Sequence, residues 1–151
     1  MTTPLVYVAG AIDYADHDEH SVTAPAHLAD FWPVGAEVFC PKCENEGETS
    51  AESVMVRNWD AVHSADLVVA FLSTAVFTVG TPIEIWEKAK VDPRRVVLVH
   101  DSVDGSVGLF VRWWEKRGVT VVATTGCIFC GDVSAVAELR NLIAERLVAL
   151  L

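Results

Sequence analysis

Asp66-Leu67-Val68-Val69-Ala70-Phe71-Leu72, with Val79-Gly80-Thr81-Pro82-Ile83-Glu84 after it, decides how this chain folds. The first stretch is continuous, apolar and rich in branched side chains, as a strand covered on both faces must be. The second reads as a glycine-bearing loop turning into a helix, with a carboxylate in the first turn. Thr81, Pro82 and Glu84 have the spacing of a capping box, with Thr81 as N-cap and Pro82 at the first helical position. Glu84 then folds back onto the Thr81 amide and gains from the helix dipole. Ligands of open α/β sheets, however, bind beyond the carboxyl ends of the strands. Glu84 therefore has two readings, a structural cap and a chemical group.

Working outward, strand-like and helix-like segments alternate. Leu5 to Ala9 is a short apolar strand ended by Gly10. A helix-compatible segment lies between His20 and Trp32, stopped by Pro33 and Gly35. Ala36 to Cys40 is a second strand, and Pro41 to Ser50 a polar loop. Ala51 to His63 carries Val54, Met55, Trp59 and Val62 at helical spacing. After the Asp66 to Leu72 strand come a helix over Thr81 to Lys90, a strand over Arg95 to His100, and a helix from Ser106 to Lys116 ended by Gly118. Thr120 to Thr124 is the fifth strand, and Val133 to Leu150 a closing helix with an apolar stripe. Alternation of this kind means parallel strands with right-handed crossovers. The expected fold is a single domain over residues 1–151: a five-stranded, doubly wound, three-layer α/β sheet in the flavodoxin-like, Rossmann-like order 2-1-3-4-5.

Composition narrows the function. Of 151 residues, 52% are hydrophobic and 21% charged, which suits a packed globular domain. Lys and Arg number 11 against 21 Asp and Glu, a net charge of −10. Nucleic acid polymers and anionic membranes would find little to neutralise their phosphates, so neither is an expected partner. No apolar run reaches the roughly 18 residues of a membrane span, and Met1-Thr2-Thr3-Pro4 does not open a signal peptide. A cytoplasmic location is expected. A small-molecule ligand remains compatible, because a local site can oppose the global field.

A carboxylate at a helix start, with basicity lowered by the dipole, is a competent nucleophile toward a carbon with oxocarbenium character. Glycosyl transfer needs such a group on one face of the sugar and an acid near the leaving group on the other. Asp60, 24 residues before Glu84 on the helix that feeds the central strand, is the available second carboxylate. Gly80 would let backbone approach a ligand closely.

Taken together, Val6-Tyr7-Val8-Ala9-Gly10-Ala11-Ile12, Asp60, Ala65 to Ala70 and Gly80-Thr81-Pro82-Ile83-Glu84 resemble the nucleoside 2-deoxyribosyltransferase superfamily, which includes nucleoside 5′-monophosphate N-glycosidases. The resemblance spans roughly the first two thirds of the chain. It implies that Glu84 is a nucleophile forming a glycosyl ester at C1′, with Asp60 acting on the base side. It also implies that the Tyr7 phenol hydrogen-bonds the nucleophile and that Gly10 to Asp13, Ile12 included, surrounds base and sugar. Deoxyribosyltransferases carry an Asp where this chain has Thr78, whereas the N-glycosidases have a hydroxyl residue that binds the 5′-phosphate. The Arg those glycosidases place after the first strand is replaced here by Asp13, Asp16, Asp18 and Glu19. Ser106 reads as an N-cap; in the family a hydroxyl there reaches a neighbouring subunit's phosphate site, which makes a homodimer or larger oligomer the expectation. No catalytic cofactor is expected. A non-catalytic nucleotide-binding module remains an alternative, motivated by Thr78 and the absent Arg.

Cys40-Pro41-Lys42-Cys43 and Cys127-Ile128-Phe129-Cys130 are two Cys-x-x-Cys knuckles, so four thiolates are available for a structural zinc ion. A zinc-stapled interaction domain is the third reading. Against it, strands two and five would be opposite edges of the sheet, roughly 19 Å apart at four strand spacings. A thioredoxin-type redox motif would begin a helix after the first strand, and neither knuckle is expected to do so. Of the adjacent Trp113 and Trp114, one is expected in the core and the other at an interface or site wall. The histidines at 17, 20, 27, 63 and 100 lack metal spacing and read as scattered surface positions.

Overall fold

In the computed structural model of the chain, residues 3–10, 32–33, 35–72, 79–100, 105–123 and 133–151 are described. The helix expected between His20 and Trp32 lies almost wholly outside them. Five strands form one sheet: β1 (Leu5–Ala9), β2 (Glu37–Phe39), β3 (Leu67–Leu72), β4 (Val96–His100) and β5 (Thr120–Ala123). Their order is β2-β1-β3-β4-β5 and every pairing is parallel. This is the order read from the alternation of elements.

Period-two alternation divides each central strand between two cores. Val6, Val8, Leu67, Val69, Phe71, Val97 and Val99 face helix α5 (Val133–Leu150), which contributes Leu139, Ile143 and Leu147. Tyr7, Ala9, Val68, Ala70, Leu72, Val96 and Leu98 face the opposite layer. That layer consists of α2 (Ala51–Ser64), α3 (Gly80–Ala89) and α4 (Gly105–Glu115). Helices on both faces explain why β3 is buried along its whole length, and why it reads as unbroken apolar sequence. No helix among the described residues is long and apolar enough to cross a membrane.

Several local readings change. Pro41 to Glu44 is not loop but a short helix, α1, with Cys40 at its N-cap and Pro41 at its first position. Proline tolerates that position because the N–H it lacks would have no intrahelical partner. Asp66 precedes β3 rather than opening it. Its carboxylate accepts from the Leu5 amide at 2.9 Å, while its own amide donates to the Leu5 carbonyl at 2.8 Å. Arg95 Nη1 approaches the same carboxylate at 3.4 Å. Asp66 thus fixes where β1 and β3 start relative to each other. α4 ends with Gly118 at φ +96°, a left-handed backbone that glycine adopts without Cβ strain. α4 begins at Gly105, so Ser106 lies inside its first turn rather than at the N-cap. Trp114 is in the core and Trp113 is half exposed under the Arg117 guanidinium.

Asp66→Ala removes an acceptor from a part-buried backbone amide and should cost about 1–3 kcal/mol of stability. Urea unfolding of the two proteins measures this, and equal midpoints would show that Asp66 has no part in strand registration.

Candidate functional site

Tyr7 lies in the middle of β1 on the α2–α4 face and is completely buried. A tyrosine so placed needs a partner for its hydroxyl, and Tyr7 Oη donates to Glu84 Oε1 at 2.6 Å. The residues are 77 apart in sequence; the sheet and α3 bring them together. Phe39, opposite Tyr7 in the β1–β2 register, stacks on its ring with centroids 5.5 Å apart and planes 12° from parallel. That contact holds the phenol against rotation.

The capping-box reading of Glu84 is overturned. α3 starts at Gly80, two residues earlier than the box requires, with Val79 at the N-cap in helical conformation and no side chain capping the turn. Glu84 is therefore the fifth helical residue, rotated inward, and its carboxylate meets the sheet instead of the Thr81 amide. The expected lowered basicity is reversed as well. Burial of the carboxylate pushes its pKa up to about 6, and the hydrogen bond from Tyr7 offsets only part of that rise. The Tyr7 phenol is held far above its ordinary range, first by burial and then by the charge of Glu84. At neutral pH the pair is consequently a neutral phenol donating to a carboxylate, and the proton does not cross.

Asp60 sits on the exposed side of α2. Among the described residues its carboxylate makes no hydrogen bond, while its carbonyl accepts from Ser64 Oγ at 2.8 Å. Helix register nevertheless relates it to Glu84. α2 and α3 both run against the strands, so they lie parallel, and His63 Nε2 comes within 3.7 Å of Glu87 Oε2. Positions 60 and 84 are each three residues, about one turn, before that contact. The two carboxylates therefore occupy the same level of neighbouring helices, one facing solvent and the other facing Tyr7.

Gly80 is exposed, and a Cβ added to it would meet no described atom within 4 Å. Neither sterics nor positive φ demands glycine there. Gly10 follows β1 at the carboxyl end of the sheet. Ile12, Asp13 and Thr78 lie outside the described residues, as do Cys127 and Cys130 and the side chain of Ser106. Cys40 is buried and Cys43 exposed, and no disulfide joins them. Among the described residues no group of three or more His, Cys, Asp or Glu could hold a metal ion.

Sequence reasoning missed three residues. His100 is not a surface histidine: at 2% exposure it ends β4 opposite Leu72. Its position in a strand of valines and leucine was the available signal. Phe39 was read only as strand, because its stacking depends on pairing across the sheet. Lys88 is buried and donates from Nζ to the carbonyls of His63 and Ala65, tying the end of α2 to α3. A cavity of about 290 Å³ lies beside it at the amino ends of the strands, lined by His63, Glu87, Lys88, Asp92 and Arg95. Its charges are matched internally, with Arg95 near Asp66 and Asp92 and Glu87 beside Lys90.

No protein-family model matches the chain, and no curated protein matches it. Among solved structures, a conserved protein from Enterococcus faecalis V583 superposes with a TM-score of 0.65 at 16% identity. That superposition covers 96% of this chain and 99% of the other. A 2-desoxiribosyltransferase from Leishmania mexicana aligns with a TM-score of 0.47 at 22% identity, over 67% of this chain and 65% of its own. The first likeness shows that the three-layer fold extends over nearly the whole chain.

A carboxyl with a raised pKa binds its proton more tightly folded than unfolded, so stability falls as pH rises from 4.5 to about 6 and stays lower above. Glu84→Gln should therefore raise the unfolding free energy at pH 7.5 by about 1–2 kcal/mol and leave it unchanged near pH 4. Urea melts at both pH values test this. An equal effect at both would show that Glu84 is not desolvated.

Proposed function

We propose that the protein cleaves the N-glycosidic bond of a nucleoside or nucleoside 5′-monophosphate through a covalent glycosyl ester on Glu84. The observation that carries this reading is the 2.6 Å bond from a fully buried tyrosine on the sheet to a part-buried carboxylate on α3. Such an arrangement has a fold-stability cost, since an exposed glutamate would keep its charge more easily. The resemblance of the Tyr7, Asp60 and Gly80 to Glu84 segments to nucleoside 2-deoxyribosyltransferases agrees with it.

In this mechanism Glu84 Oε2, the oxygen that Tyr7 does not engage, attacks C1′ as the bond to the base breaks. Tyr7 fixes the carboxylate's orientation through Oε1. Desolvation raises the basicity and nucleophilicity of the attacking group at a pH where it is still ionised. The electron pair of the glycosidic bond leaves with the base nitrogen, which takes a proton from the base-side acid, assigned to Asp60 by the resemblance. Water or a second base then attacks C1′ and releases Glu84. Thr78, Ser106 and the Gly10 to Asp13 loop are the proposed substrate contacts, and a dimer or larger assembly the proposed form.

Glu84→Ala should abolish base release from a panel of ribo- and deoxynucleosides and their monophosphates. Mass spectrometry of a quenched reaction should find the sugar on Glu84. Turnover surviving in that variant would refute the nucleophile. In the parent, kcat/KM should rise with pH through an acid limb near 6, where Glu84 ionises. Tyr7→Phe removes the bond that lowers the Glu84 pKa, so its limb should move to higher pH and kcat/KM fall about ten- to hundredfold. An unmoved limb would assign the titration to another group.

A further inference from the structure

The outer face of the α2–α4 layer is left bare by the fold. Among the described residues eleven large apolar side chains are exposed, and eight of them lie on α2, on α4, or on α3 with its N-cap. The other three are Val91 just after α3 and Val148 and Leu151 at the end of α5, so the patch belongs to one layer. Trp59, Trp86 and Trp113 within it are 38%, 48% and 46% exposed. Each leaves roughly 100 Å² uncovered, whereas monomers rarely expose contiguous apolar surface beyond a few hundred Å².

Helix periodicity aims this surface away from the sheet. In α3 buried Ile85 and Ala89 mark the inner side, and Val79, Ile83, Trp86 and Lys90 the outer. Their spacing of four, three and four residues is that of a coiled-coil seam. α3 lies between its neighbours, meeting α2 through Glu87 and His63 and α4 through Trp86 and Trp114. In α4 buried Val111 and Trp114 point inward, so Leu109, Arg112, Trp113 and Lys116 point outward. In α2 buried Ala61 and Val62 point inward, so Val56, flanked by Glu52 and Asp60, points outward. Arg57 of α2 is turned to α1, where it donates to the Glu44 carbonyl and approaches Glu48. An apolar central helix is thus bordered by an acidic helix on one side and a basic one on the other.

We propose that this face binds a second copy of the chain about a two-fold axis running along α3. The two α3 helices then meet as a parallel pair, and acidic α2 of each copy lies on basic α4 of the other. A two-fold interface must be complementary to itself, and opposite charges on either side of an apolar centre meet that demand. An axis across the helices would instead set α2 on α2 and α4 on α4, acid on acid and base on base. Each copy carries a net charge of −10, so two copies repel at long range and need opposite charges brought together locally. Three helices about 10 Å apart and roughly 15–21 Å long give a face of roughly 30 Å by 20 Å. That is the footprint of an interface burying about 800 Å² per partner. The surface rests on exposure and charge, and not on the glycosidic reading.

Sedimentation velocity of the purified chain at micromolar concentration should show a dimer that added salt weakens. Ile83→Glu, an outward change on the seam, should weaken association about thirtyfold or more, with circular dichroism and urea midpoint as in the parent. Arg112→Glu combined with Lys116→Glu should weaken it about tenfold or more. Adding Glu52→Lys and Asp60→Lys to that chain should restore the dimer, because the charges are then exchanged rather than opposed. Zero-length carbodiimide coupling in a mixture of ¹⁵N-labelled and unlabelled chains should join Lys116 of one copy to an acid of α2 in the other. A monomer at these concentrations, an Ile83→Glu variant that dimerises like the parent, or coupling of Lys116 to Glu115 across copies would each overturn the proposal. A dimer of this geometry in a protein that releases no base would uphold the surface and refute the glycosidic reading alone.

Discussion

The proposed site depends on one hydrogen bond, from Tyr7 to Glu84, and the constraint behind it is burial. A phenol sealed between sheet and helix must find an acceptor, and a carboxylate drawn from water needs a donor to remain ionised. Each solves the other's problem incompletely, because the bond offsets only part of the desolvation of Glu84. What remains is a carboxylate poised near neutrality, more basic than its solvated counterparts. The fold maintains this tension by anchoring both ends: Tyr7 through the β1 ladders and the Phe39 ring, Glu84 through a helix whose neighbours Ile85 and Ala89 are locked in the core.

The two faces of the sheet divide the labour. The α5 face is wholly aliphatic apart from Phe71 and Trp32, and every side chain there packs. The α2–α4 face carries the tyrosine, the buried lysine that joins α2 to α3, and His100 at the strand end. Polar groups that must be buried are thus confined to one layer, where each can be matched without disturbing the other. Of these groups His100 alone ends a strand at its carboxyl end, Tyr7 lies in mid-strand, and Lys88 lies by the amino end of β3.

Much of the architecture was readable in advance. Continuous apolar runs such as Leu67 to Leu72 admit only a strand covered twice, and alternation with helices leaves few topologies. The sheet order followed from that, although the segment from 11 to 31 lies outside the described residues. The Tyr7–Glu84 contact was readable only through resemblance to a family, since nothing local to Tyr7 announces a partner 77 residues away. Spacing misled at Thr81 to Glu84, where a well-formed capping signature lost to tertiary demand: the Tyr7 phenol, and not the Thr81 amide, engages the Glu84 carboxylate. It misled again at Pro41, because the loop's polar composition hid a proline–cysteine helix start. His100 was misjudged and Lys88 overlooked for the same reason, that burial of a polar residue is decided by its neighbours across the fold.

The parallel alignment of α2 and α3 has a consequence for how this fold tolerates change. Because His63 meets Glu87 and the two acidic positions lie one turn earlier on each helix, their shared level depends on both helices keeping count. That shared level does not depend on how many residues join β3 to α3. A single residue gained or lost inside α3 between Glu84 and Glu87 would instead swing Glu84 by about 100° around its helix axis. An insertion or deletion is thereby better borne outside these two helices than within them.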